Sequence, residues 1–127
     1  MRSGPIRLAS LILALTGLHA PAMAQGIRVL IQSSPLAGSQ YYGAETLWSA
    51  MTQGDPLTLH REPANHHDPK AVRVEWHGAK LGYLPRAENG PVAAALDRGE
   101  KLRANISRLT RHKNPWRRVE VQVWIEL

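Results

Sequence analysis

The sequence predicts a mainly β domain, a small barrel or strongly bent sheet carrying two short helices. Three observations predict it: apolar and polar residues alternate with a two-residue period in successive short stretches, Pro and Gly punctuate those stretches, and only two segments carry helical spacing. Curvature is expected because a flat sheet this small would leave one apolar face and both edges in water.

In chain order, Ile27 to Gln32 ("IRVLIQ") is β-branched and apolar, a leading strand broken by Pro35 and Gly38. Between Gly43 and Gly54, Ala44, Leu47, Trp48 and Met51 recur at helical spacing, so the first helix is expected there, closed by Gly54. The period then changes. Leu57, Leu59 and Arg61 alternate with Thr58, His60 and Glu62, and Val72, Val74 and Trp76 alternate with Arg73, Glu75 and His77. "HGAK" reads as a hairpin turn into "LGYLP". Pro91 near its start, Gly99 past its end and an alanine-rich middle define the second helix. Leu102, Ala104 and Ile106, then Val119, Val121, Val123 and Ile125, mark two final strands around the basic loop Thr110 to Pro115.

The first residues have a different character. Arg2 and Arg7 flank a basic start, Leu8 to Leu18 is an apolar run, and Ala22-Met23-Ala24 supplies an A-x-A site. That order is the layout of a secretory signal peptide, with cleavage expected after Ala24. The run is shorter than the roughly 20 apolar residues of a bilayer-spanning helix. Residues 1–24 are therefore read as a signal peptide, 25–38 as leading strand and linker, and 39–127 as the domain, exported to the periplasm or beyond. Removing 24 of 127 residues leaves 103, and two of the six net positive charges go with them, leaving +4. No cysteine is present, so no disulfide can staple the domain and the core must hold it.

The densest polar stretch is "REPANHHDPKAV", Arg61 to Val72. Adjacent His66 and His67 diverge in an extended loop and make a poor zinc pair, although His60, Asp68 and His77 are near in sequence. No G-x-S-x-G, H-E-x-x-H or phosphate-loop glycine pattern occurs, so no catalytic role and no cofactor is expected. A wide strand connection accounts for part of the loop: Pro63 and Pro69 fix its path, while Asn65 and Asp68 bond neighbouring amides as Asx turns do.

"LTLHREPANHHDPKAVRV", "LGYLPR" and "LDRGEKLRANI" together resemble the HIRAN domain, over about Ser39 to Glu126. The combination is specific; either half alone is weak. The resemblance implies an OB-type β-barrel that grips single-stranded DNA with a preference for a free 3′ end. It places Tyr41 and Tyr42 beside the strand-binding groove, Asn65 and Asp68 in the binding loop with Asp68 accepting from the terminal hydroxyl, and Arg86 at a phosphate. His67 stands where eukaryotic relatives often carry tyrosine, and Tyr83 where they often carry histidine, so each place keeps a flat ring.

The residues themselves suit such a partner. Stacking on flat side chains contributes about 1 to 3 kcal/mol per base, and cations follow the phosphates. Tyr41, Tyr42, His67 and Tyr83 supply rings, and Arg61, Lys70 and Arg86 supply charge. Trp48, Trp76 and Trp124 read as packing residues. The expected protein is a monomeric module without membrane insertion after cleavage. The alternatives are an exported scaffold for another anionic or peptide ligand, and an accessory domain of a helicase or hydrolase system, with a metal-binding variant of the latter.

Overall fold

The computed structural model describes residues 26–127, so the leader expected over residues 1–24 lies outside the described residues. Six strands and one α-helix follow in the order β1 (Arg28–Pro35), β2 (Pro56–Glu62), β3 (Ala71–Trp76), β4 (Ala79–Tyr83), α1 (Gly90–Asp97), β5 (Leu102–Leu109) and β6 (Val119–Glu126). All pairings are antiparallel, in the spatial order β1-β6-β5-β2-β3-β4.

The expected barrel does not form: the sheet is open, with β1 and β4 at its edges. Beyond the end of β1, Ala37 and Tyr83 exchange one pair of backbone bonds at 2.8 and 2.9 Å, an isolated bridge and not a ladder. Pro35 closes β1 without an N–H to donate, and this limits how far that edge can be extended. Bending comes from elsewhere. The β2–β5 ladder is confined to Pro56↔Asn105 and Leu57↔Ala104, after which β2 turns to pair with β3. Register shifts in the β1–β6, β3–β4 and β5–β6 ladders add local twist.

The first expected helix also fails. Between Gly43 and Gly54 the described backbone holds only a 3-10 turn at Trp48–Ala50. Helical bonds Leu47 N–H to Gly43 C=O and Met51 N–H to Leu47 C=O occur without the bonds between them, while the Gly43 N–H is drawn to the Lys80 carbonyl at 3.1 Å. Tertiary contacts override the local helical spacing here, since the apolar anchors Ala44 and Met51 reach the core from a looped path. Helix α1 forms as expected, with Pro91 in its first turn. Past its end, Glu100 N–H bonds the Ala95 carbonyl and Gly99 N–H the Leu96 carbonyl, with Gly99 at φ 78°, a Schellman closure.

One face of each strand forms the core: Val72 and Val74 of β3, Leu81 of β4, Ile106 of β5 and Val119, Val121 and Val123 of β6, closed by Leu36, Leu84 and Val92. The β3–β4 hairpin turns on His77 and Gly78, both at positive φ, the type I′ geometry that matches strand twist. Among the described residues no helix is long and apolar enough to cross a membrane.

Candidate nucleic-acid interface

The polar loop between β2 and β3 is a well-made turn. The Asn65 Oδ1 atom accepts from the His67 and Asp68 amides at 2.8 and 3.2 Å, and Asp68 Oδ1 accepts from the Lys70 amide at 2.9 Å. Arg61 braces the loop from beneath: its guanidinium donates to the Ala71 and Pro69 carbonyls and pairs with Asp97 of α1 at 3.0 Å. Arg61 is therefore a strut, and its charge is engaged away from the loop's outer surface.

This turn also forms a wall. Tyr42, Asn65, His67, Asp68, Tyr83 and Arg86 line one cleft of about 310 Å³, with Ala37, Ala71 and Leu84 behind them. Six of the eight residues singled out in the sequence thus share one concavity. Tyr41 stands at its margin, 74% exposed, with its ring edge-on to Tyr42 at 6.5 Å. Arg61 does not line the cleft. Exposed His66 also lies outside it, and among the described residues no three His, Cys, Asp or Glu side chains are grouped to hold a metal ion.

Three supporting residues escaped the sequence reading. Lys80 places its ammonium 4.1 Å from the Tyr42 ring and 4.6 Å from the Tyr83 ring, joining the two aromatics through one cation. Glu62 accepts from the Tyr83 hydroxyl at 2.8 Å and from Asn65 Nδ2 at 2.9 Å, and pairs with Arg73 at 2.9 Å. Asn89, 1% exposed at the start of α1, donates from Nδ2 to Asp68 Oδ2 at 2.8 Å. The signal for Asn89 was its position in "ENGP", immediately before a helix, where the amide is expected to cap; instead it reaches back across the fold to Asp68.

Electrostatics follow from these contacts. Burial pushes the Asp68 carboxyl upward, but bonds from the Lys70 amide and Asn89, with the charges of Arg86 and Lys70, outweigh it and hold the group below its ordinary range. Burial likewise raises Glu62, yet Asn65, Tyr83, Arg73 and Lys80 bring it below its ordinary value. Burial raises Tyr83; the Lys80 bond opposes this and Glu62 reinforces it, leaving a neutral phenol well past neutral pH.

The sign for stability is fixed by these directions. Both carboxyls titrate lower in the folded chain than their ordinary 3.8 and 4.5, so their contribution is complete above those values and is lost as acid passes through the lower folded values. The urea midpoint is expected to fall on that acid limb. Asp68→Asn and Glu62→Gln should each flatten it; an unchanged limb in both would remove these two groups as its cause.

Chemically, the cleft offers flat rings, the Arg86 guanidinium and one oriented carboxylate. That combination can stack a base, meet a phosphate and accept a hydrogen bond from a hydroxyl. No curated protein matches the chain. Among solved structures, it is similar to a protein from Lactobacillus plantarum at 25% identity and TM-score 0.68, over 81% of this chain and 100% of that one. It also shares the fold of the HIRAN domain of human HLTF, at 21% identity and TM-score 0.57, over 80% and 81% of the two chains. The profile of the HIRAN domain matches residues 29–127, from β1 through the last residue of the sequence. With that match taking in the cleft and all of the sheet except Arg28, the first residue of β1, the chain belongs to the HIRAN domain family.

Proposed function

We propose that this chain is a non-catalytic module that binds single-stranded DNA and seats a free 3′ end in the cleft lined by Tyr42, Asn65, His67, Asp68, Tyr83 and Arg86. The observation that carries the reading is the Asp68 carboxylate. Each of its oxygens accepts one bond from the protein, from the Lys70 amide and from Asn89, which leaves about half of its acceptor capacity for a ligand. An internal phosphodiester repels such a group, whereas a terminal hydroxyl can donate to it. Arg86 beside it suits the preceding phosphate, and Tyr42 and Tyr83, bridged by Lys80, offer ring surface to a base. If residues 1–24 direct export as their layout suggests, the DNA met is outside the cytoplasm.

A hydrogen bond to a charged acceptor contributes about 1.5 to 3 kcal/mol, so an oligonucleotide with an unblocked 3′ hydroxyl is expected to bind the full chain roughly ten- to a hundredfold tighter than the same oligonucleotide ending in a 3′ phosphate. Asp68→Ala should erase that preference. Both affinities should fall as salt rises, because phosphate contacts release counterions. Equal affinities for the two ends in the unaltered chain would overturn end capture, and a flat salt response would point to a ligand other than nucleic acid.

A further inference from the structure

Trp124 sits where strand alternation should place a polar residue. Its neighbours Val119, Val121 and Val123 fill the core, and Trp124 occupies the opposite, outward face of β6. Register sets it between Leu30 of β1 and Arg103 of β5. The indole is held at one corner, its Nε1–H donating to Asn105 Oδ1 at 3.3 Å, and the Arg28 guanidinium lies over the ring at 5.2 Å. A shallow cavity of about 320 Å³ opens here, lined by Arg28, Pro56, Arg103, Asn105 and Trp124 among others.

The surrounding charge is unbalanced. Arg103, 68% exposed, pairs with Glu126 at 2.7 Å. The Arg103 bond, outweighing burial, and the charges of Arg103, Lys101 and Arg28 all hold that carboxyl low, so among the described residues three cationic side chains act on this one acidic side chain. An indole oriented by an amide, beside an exposed guanidinium that a phosphate can draw off the ring and beside excess positive charge, matches the needs of a base joined to a phosphate: a ring to stack on and cations at the height of the backbone. The strand order separates this face from the cleft, which is built on the β2–β3 loop and the end of β4.

We propose that the outward face of β1, β6 and β5 is a second site, which takes one nucleotide unit of single-stranded DNA with the base on Trp124 and the phosphate between Arg28 and Arg103. It takes internal nucleotides, since among the described residues it has no carboxylate beside it apart from Glu126, which Arg103 already occupies.

The test uses the nitrogen-15-labelled full chain, whose four tryptophans give separable indole N–H signals, that of Trp124 being assigned by its loss in Trp124→Phe. The probe is a short oligothymidylate ending in a 3′ phosphate. The Trp124 signal is expected to move on titration, with the same midpoint in the unaltered chain and in Asp68→Ala. Replacing both exposed arginines, Arg28→Gln with Arg103→Gln, should raise that midpoint roughly tenfold while leaving the circular dichroism unchanged. A stationary Trp124 signal, a midpoint indifferent to the arginines, or an equal response to an acidic peptide would each overturn the proposal. A moving Trp124 signal in a chain that shows no preference between 3′ ends would keep this site and remove the cleft reading, so the two fail separately.

Discussion

Gly82→Ala is expected to cost about 3 kcal/mol or more, a large share of what a domain this small has to lose. Gly82 sits in β4 at φ 156°, a backbone setting that side-chain-bearing residues rarely adopt. A Cβ built there would collide with the Ala37 carbonyl oxygen and press on Leu36 Cγ at 3.1 Å. The collision is with backbone, and Leu36 is 1% exposed, so neither neighbour can swing aside. The bridge that must yield is Ala37 to Tyr83, the one link between the ends of β1 and β4 among the described residues. The substitution should therefore lower the urea midpoint and also loosen Tyr83, reducing oligonucleotide affinity even where the chain stays folded. Gly90→Ala is the control: it has open space and no positive φ, and should change stability by less than about 0.5 kcal/mol. If Gly82→Ala unfolds at the same midpoint as the control, the close approach of β4 to Ala37 is not a constraint on this fold.

The same strand shows where sequence alternation stops being informative. Strict two-residue alternation puts Lys80 and Tyr83 on opposite faces of β4. In the structure Lys80 faces Glu75 and Tyr83 faces Arg73, partners two residues apart on β3, because the register shifts around Leu81. That irregularity brings Lys80 onto the aromatic face, and nothing in "KLGYLPR" announces it except the glycine itself. By contrast, the Asn65 and Asp68 turn was legible, because Asx bonding depends on residues two or three positions apart. The core faces of β3, β5 and β6 were legible for the same local reason. Barrel closure was not, because it depends on whether two edges distant in sequence meet along a ladder, and here Pro35 and the short β2–β5 pairing leave them joined by one bridge. The segment from Gly43 to Gly54 failed for a related reason: its spacing was helical, but the burial of Ala44 and Met51 and the tie of Gly43 to the Lys80 carbonyl are contacts with parts of the fold distant in sequence, and these set a looped path. Arg61 read as a groove cation because its charge was visible and its partners Pro69, Ala71 and Asp97 were not.

Asn89→Leu is expected to cost about 2 to 3 kcal/mol although it keeps the branching and heavy-atom count of the side chain and leaves the helix-starting carbonyl bond from Ala93 untouched. The loss arises at Asp68, whose Oδ2 would face an apolar group in place of its 2.8 Å donor. If so, Asp68→Ala and Asn89→Leu must couple: with the carboxylate already gone, the leucine has no charge to strand, and the double variant should cost less than the sum of the singles by roughly 1 kcal/mol or more. The end preference for oligonucleotides should vanish in Asn89→Leu as it does in Asp68→Ala, because an untethered carboxylate no longer holds its direction. Additive costs would mean that the bond carries no weight in the folded chain. A third variant separates orientation from mere packing. Asn89→Asp sets a second carboxyl at hydrogen-bond distance from Asp68, so the pair must share a proton and titrate higher than either alone. Its destabilisation should therefore be largest at neutral pH and relieved as pH falls, opposite in sign to the acid limb of the unaltered chain. A variant that instead loses stability monotonically with acid would show that the two side chains do not meet in solution.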